Sequence, residues 1–178
     1  MRIVLAGFMG TGKTAVGRRL AARLGVEFLD LDAWIEEEAG MPVAEIFAQR
    51  GEGVFRSLEK NAVKAACERE DVVIAAGGGA IVDDENRSAL VRAGRVFCLI
   101  ARPEVVASRV GRRAASRPML AGHEDLVARI RELQAEREPA YATIPDQVDT
   151  SDLRVDEVVD SIDHALGSDP ASRGPKPC

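Results

Sequence analysis

The sequence predicts an α/β fold around a mainly parallel sheet, and two observations carry that expectation. Short apolar runs alternate along the chain with stretches of helical periodicity. The first of those runs, Arg2-Ile3-Val4-Leu5-Ala6, passes through a glycine-rich segment straight into a helical pattern. Strands are expected at 2–6, 26–30, 71–75, 95–99 and 146–150. Helices are expected near 13–24, 32–39, 55–69, 84–93, 103–111, 124–141 and 155–166. Asp83 is suited to cap the fourth helix, and Pro103 to the first turn of the fifth. The last residues, 167–178, carry too little apolar surface to fold and are expected to be a disordered tail.

Bulk properties narrow the function. A chain of 178 residues fits one domain with a buried sheet. A net charge of −5 and a pI near 5.2 argue against general affinity for nucleic acid or an anionic membrane. No apolar run is long enough to span a bilayer, and the N-terminus enters the first strand at once, with no signal peptide. Cys67, Cys98 and Cys178 are too few and too scattered for a disulfide framework or a zinc site. A soluble cytoplasmic protein is the expectation.

The most specific motif is Gly7-Phe8-Met9-Gly10-Thr11-Gly12-Lys13-Thr14, a complete G-x-x-x-x-G-K-[ST] phosphate-binding loop. Its glycines let backbone N–H groups converge on one concave nest, and the following helix aims its positive dipole end at the same anion. Lys13 supplies a mobile charge for the outer phosphates, and the Thr14 hydroxyl can ligate Mg²⁺. The strand before the loop and the helix after it are the context that gives the motif meaning. A nucleoside triphosphate with magnesium is the expected ligand.

Other polar residues gather around that loop in the expected topology. Asp30 and Asp32 flank Leu31 at the end of the second strand, where alternation would turn both carboxylates to one face. One could organise magnesium's water ligands and the other meet an acceptor hydroxyl; the alternative is a pair of helix-capping aspartates. Arg56 and Glu59 are three apart on a helix and can pair, which suits Arg56 to fork onto a carboxylate. Gly77-Gly78-Gly79 lies at the carboxyl end of a strand, the end at which α/β sheets bind ligands. Arg137 is a further anion-binding candidate. The basic stretch from Gly111 to Gly122 has the composition of a mobile lid over phosphates. Trp34 is expected either to pack the helix after Asp32 or to sense closure of that segment.

Taken in order, these motifs resemble the shikimate kinase family, small phosphotransferases of the nucleoside-monophosphate-kinase group. The resemblance covers about residues 1–166 and rests on Gly7–Thr14, Asp30-Leu31-Asp32, Gly51-Glu52…Phe55-Arg56…Glu59, Gly77-Gly78-Gly79-Ala80, and Arg117-Pro118-Met119-Leu120 followed by Arg137 and Tyr141. It implies a three-layer P-loop kinase fold with a five-stranded parallel sheet in the order 2-3-1-4-5. A substrate-binding segment would lie near 31–60 and a lid near 111–123. It implies transfer of the γ-phosphoryl of ATP, with Mg²⁺, to the 3-hydroxyl of shikimate, a step toward chorismate and the aromatic amino acids.

By the same resemblance Asp32 is the base, and Lys13 and Arg117 face the transferring phosphoryl group. Gly10, Thr11, Gly12, Lys13 and Thr14 hold the nucleotide. Arg109 lies on adenine, with Arg112 and Arg113 as alternative alignments. Arg56 and Arg137 hold the substrate carboxylate while Gly77, Gly78 and Gly79 approach the ring. Glu59 orients Arg56, and Asp30 joins Thr14 in the magnesium shell. No obligate protein partner is evident, so a monomer is expected. Ile144-Pro145 departs from the family, which usually continues its helix there. A gluconate kinase of the same fold is the close alternative, and a nucleotide-binding module without catalysis the more distant one.

Overall fold

The computed structural model describes residues 1–111 and 118–167. Five strands form the sheet: β1 (Arg2–Gly7), β2 (Glu27–Asp30), β3 (Val72–Ala75), β4 (Arg95–Ile100) and β5 (Asp146–Asp149). All pairings are parallel and the order is β2-β3-β1-β4-β5. The central strand β1 runs in register with β3 through Arg2–Val72 and with β4 through Ile3–Arg95. Parallel strands need crossovers, and helices supply them: α1 (Lys13–Leu24), α2 (Leu31–Ala39), α3 (Val43–Arg50), α4 (Glu52–Ala66), α5 (Asp84–Ala93), α6 (Pro103–Val110) and α7 (Leu126–Tyr141), while α8 (Val155–Gly167) follows the last strand.

Strand alternation sorts the core into two layers. Ile3 and Leu5 of β1 face α1 and α8, packing with Val16, Leu20, Val159 and Ile162. Val4 and Ala6 face the other side, against Leu31, Ile46, Val63 and Ile130 from the remaining helices. The inner strands β1, β3 and β4 are thus nearly continuous apolar runs, as a sheet covered on both faces demands. The edge strand β5 needs only its inner residues apolar, which is why Asp146-Gln147-Val148-Asp149 can form it.

Two departures from expectation concern the segment after β2. The sequence reading has no helix between 39 and 55, but α3 and the first turn of α4 fill it. Pro42 sets the extended entry, and Val43, Ile46 and Phe47 recur at helical spacing behind it. Gly51, at φ 81°, then ends α3 and starts α4 in a single residue. A break that short leaves none of the loop composition that normally separates two helices. The second departure concerns Asp32: β2 ends at Asp30 as expected, and Asp32 stands in the first turn of α2, so strand alternation does not set the direction of its carboxylate.

Candidate active site

The carboxyl ends of β1, β2 and β3 open on a cleft of about 770 Å³. At one end lies the glycine-rich loop. Gly12, at φ 101°, is the N-cap of α1 and no side chain caps that helix, so its first N–H groups are left for an anion. Lys13 folds back and its Nζ donates to the carbonyls of Gly7 at 2.8 Å and Phe8 at 3.0 Å. The Thr14 hydroxyl donates to Asp30 Oδ2 at 2.7 Å. Asp30 is at once helix cap and site residue, because its other oxygen accepts from the N–H groups of Asp32 and Ala33 at 3.2 and 3.4 Å. The capping and ligand readings of Asp30 therefore coexist, one oxygen for each.

Thr11 turns inward instead. Its hydroxyl donates to the Phe8 carbonyl at 2.7 Å and its own carbonyl accepts from the Thr150 hydroxyl at 3.0 Å, so its side chain shapes the loop and does not line the cleft. Arg109 reaches from α6 to the carbonyl of Thr150 at 2.5 Å and to that residue's hydroxyl at 3.0 Å, beside Gly10. Arg117 lies outside the described residues, as do Arg112 and Arg113; Pro118 and Met119, which follow them, line the cleft.

The far end of the cleft is built from Asp32, Arg56, Glu59, Arg137 and the glycine triplet. Arg56 donates to Glu59 at 2.9 Å and to Glu52 at 3.0 Å from consecutive turns of α4, so its guanidinium is fixed in place. Glu59 is 1% exposed. Burial pushes its carboxyl above the ordinary range; Arg56 pulls it back, and the neighbouring Asp32 charge adds to the rise. Its second oxygen has no hydrogen-bond partner among the described residues and faces Gly77.

The triplet is glycine because side chains occupy the space that β-carbons would need. A β-carbon on Gly77 would sit 2.7 Å from Asp32 Oδ1 and 2.9 Å from Glu59 Oε1. On Gly79 it would overlap Arg56 Nη1, and on Gly78 it would come within 3.3 Å of Arg137 Nη1. Gly78 and Gly79 line the cleft, whereas Gly77 is buried beneath the two carboxylates. Arg137 is 8% exposed, donates to the Gly78 carbonyl at 3.1 Å and lies 5.1 Å from the centre of the Phe8 ring. Among the described residues no carboxylate pairs with it. A buried guanidinium without a carboxylate is a ready receptor for an external one.

Sequence reasoning missed the aromatic pair that lines the cleft beside these charges, with Arg56 5.3 Å from the centre of the Phe55 ring. Phe47 of α3 and Phe55 of α4 meet at a ring separation of 4.8 Å, tilted by 41°, and both line the cleft. The signal for Phe47 was the i, i+3, i+4 pattern of α3 itself. Trp34 is turned away from the cleft, with Arg69 5.8 Å from its ring centre. Among the described residues no group of three or more His, Cys, Asp or Glu could hold a metal ion. The Thr14–Asp30 oxygen pair still suits a hard cation that keeps water and phosphate ligands. No helix among the described residues is long and apolar enough to cross a membrane.

Comparison with known proteins agrees with this geometry. A family model described as shikimate kinase matches residues 9–166. A shikimate kinase of Caldanaerobacter subterraneus is 46% identical over 160 residues, 90% of this chain and 92% of the relative. Shikimate kinase from Acinetobacter baumannii, solved in complex with shikimate, superposes with a TM-score of 0.89 at 35% identity, covering 94% of this chain and 93% of that one. A gluconokinase from Sinorhizobium meliloti shares the fold more loosely, with a TM-score of 0.57 at 21% identity over 89% of this chain and 87% of that one.

Proposed function

Because the chain belongs to the shikimate kinase family and phosphorylates shikimate with ATP as donor, we propose that the two ends of its cleft divide that reaction between them. The loop end holds the triphosphate, and the Arg56–Arg137 end holds the acceptor by its carboxylate with the 3-hydroxyl toward the γ-phosphoryl. The observation that carries this reading is the convergence of two buried or half-buried arginines from separate helices, α4 and α7, on the same glycine triplet.

Phosphoryl transfer asks little covalent chemistry of the protein, so position and charge supply most of the rate. Lys13, now on the Gly7 and Phe8 carbonyls, exchanges those neutral acceptors for phosphate oxygens when the nucleotide enters. Thr14 and Asp30 would hold Mg²⁺, which would supply charge neutralisation for the triphosphate. Asp32, at the start of α2, accepts the proton of the attacking hydroxyl. Arg117 is the lid arginine for the moving phosphoryl group. Phe47 and Phe55 exclude water from the acceptor, which strengthens the charges and protects ATP from hydrolysis. The reading also includes a monomer working in the cytoplasm, where Cys67 and Cys98 stay as free thiols.

Arg56→Ala and Arg137→Ala are each expected to raise the Michaelis constant for shikimate roughly ten- to a hundredfold, with that for ATP nearly unchanged, because each removes a charge-assisted bond to a desolvated carboxylate. Steady-state kinetics with each substrate varied in turn tests this; unchanged shikimate constants in both variants would remove the acceptor assignment. Gly79→Ala should act in the same direction without touching a charge, since the new methyl occupies the place of Arg56 Nη1. A roughly tenfold rise in the same constant is expected, the cost of one displaced charged hydrogen bond. Wild-type kinetics for Gly79→Ala would show that Arg56 need not stand where it does.

A further inference from the structure

Tyr141 takes no part in the mechanism above, yet its hydroxyl is aimed at the substrate-binding backbone. It closes α7 one turn after Arg137, is 5% exposed, and donates to the Gly78 carbonyl at 2.6 Å. The same oxygen accepts from Arg137 Nη1 at 3.1 Å. One carbonyl thus gathers two donors from the same helix, and the shorter of the two bonds comes from the phenol. We propose that Tyr141 is a positioning residue for the acceptor's carboxylate, acting through the Gly78 carbonyl on Arg137 and on the glycine triplet. The proposal rests on the reading of Arg137 as a carboxylate receptor.

Two physical consequences follow from the shared oxygen. A trans peptide sets its C=O and the next N–H in opposite directions, so fixing the Gly78 carbonyl toward α7 fixes the Gly79 N–H away from it. The phenol also relieves Arg137 of sole responsibility for a partly buried acceptor. Without it, the guanidinium would have to satisfy the carbonyl alone, in competition with the substrate carboxylate. The phenol is suited to a permanent duty of this kind. Burial pushes its pKa up to about 12, with Arg137 opposing the rise, so it stays protonated and a donor throughout the working range. A Tyr hydroxyl in a core often bonds to a carbonyl only to satisfy itself. Such a role would lower stability and leave substrate binding alone.

Kinetics of Tyr141→Phe, Arg137→Ala and the double variant separate these cases. Tyr141→Phe is expected to raise the Michaelis constant for shikimate roughly tenfold, the size of one lost hydrogen bond to a partly buried acceptor. The turnover number and the Michaelis constant for ATP should stay within about twofold. In the Arg137→Ala background the same change should add little, because the two residues act through one oxygen. If Tyr141→Phe lowers only the melting temperature, or if its effect multiplies fully with that of Arg137→Ala, the proposal is wrong. If Arg137→Ala itself leaves shikimate binding intact, the underlying carboxylate assignment has failed instead, and the proposal with it. A crystal structure of the wild-type protein with shikimate decides the matter without any variant. Tyr141 Oη should remain within hydrogen-bond distance of the Gly78 oxygen while Arg137 reaches the carboxylate, and a phenol that leaves Gly78 on binding overturns the proposal.

Discussion

Replacing Lys13 with methionine is expected to reduce turnover by at least roughly 10²–10³-fold, the usual cost of deleting a group that meets charge developing in the transition state. The fold should survive. Lys13 Nζ donates to the loop carbonyls of Gly7 and Phe8, whereas the α1 residues that enter the core are Val16, Gly17, Leu20 and Ala21. Methionine keeps the unbranched stem and its helix propensity while removing the charge. The check is a turnover assay beside a thermal unfolding curve. A folded Lys13→Met protein with wild-type turnover would detach the glycine-rich loop from the chemistry.

The second large effect is expected at Asp32. Asparagine there should lower the turnover number roughly 10²-fold or more while leaving the Michaelis constant for ATP close to wild type. The amide can still meet a hydroxyl by a hydrogen bond, but it cannot usefully take its proton. The loss stays short of the largest values for general bases because a loose transition state asks for little proton transfer. Asp32 Oδ1 also lies where a β-carbon on Gly77 would crowd it, so the glycine leaves the carboxylate its space. An unchanged turnover number in Asp32→Asn would take Asp32 out of the catalytic role and leave hydroxyl recognition as its function.

These two residues mark the difference between what was legible in the sequence and what was not. Lys13 sits in a motif whose spacing is dictated by local backbone geometry, and the strand before it and helix after it are where periodicity places them. Asp32 was correctly picked out as a polar residue near the loop, but the first turn of a helix, not strand alternation, sets the direction of its carboxylate. The competing signal was present: Asp30 is a preferred capping residue ahead of an apolar run, and capping prevailed over strand alternation. The helix α3 escaped notice because Gly51 turns the chain in one residue, and Phe47 was lost with it. The reason for the glycine triplet could not be seen at all from its own residues. It lies in Asp32, Arg56, Glu59 and Arg137, side chains that reach it from sequence positions 18–60 residues away. Tyr141 is hidden for the same reason, since its bond to Gly78 spans 63 positions. Local chemistry is written locally, and the shape of the acceptor site is a tertiary property.

The most direct measurement is product identification after incubation of the purified protein with ATP, magnesium and a panel of hydroxylated acids that includes shikimate and gluconate. Phosphorus and proton magnetic resonance then report which compound has gained a phosphoryl group and at which oxygen. Shikimate phosphorylated at its 3-hydroxyl, in preference to every other member of the panel, is the predicted result. Phosphorylation of gluconate with shikimate left unchanged, or transfer to a different hydroxyl of shikimate, would contradict the account.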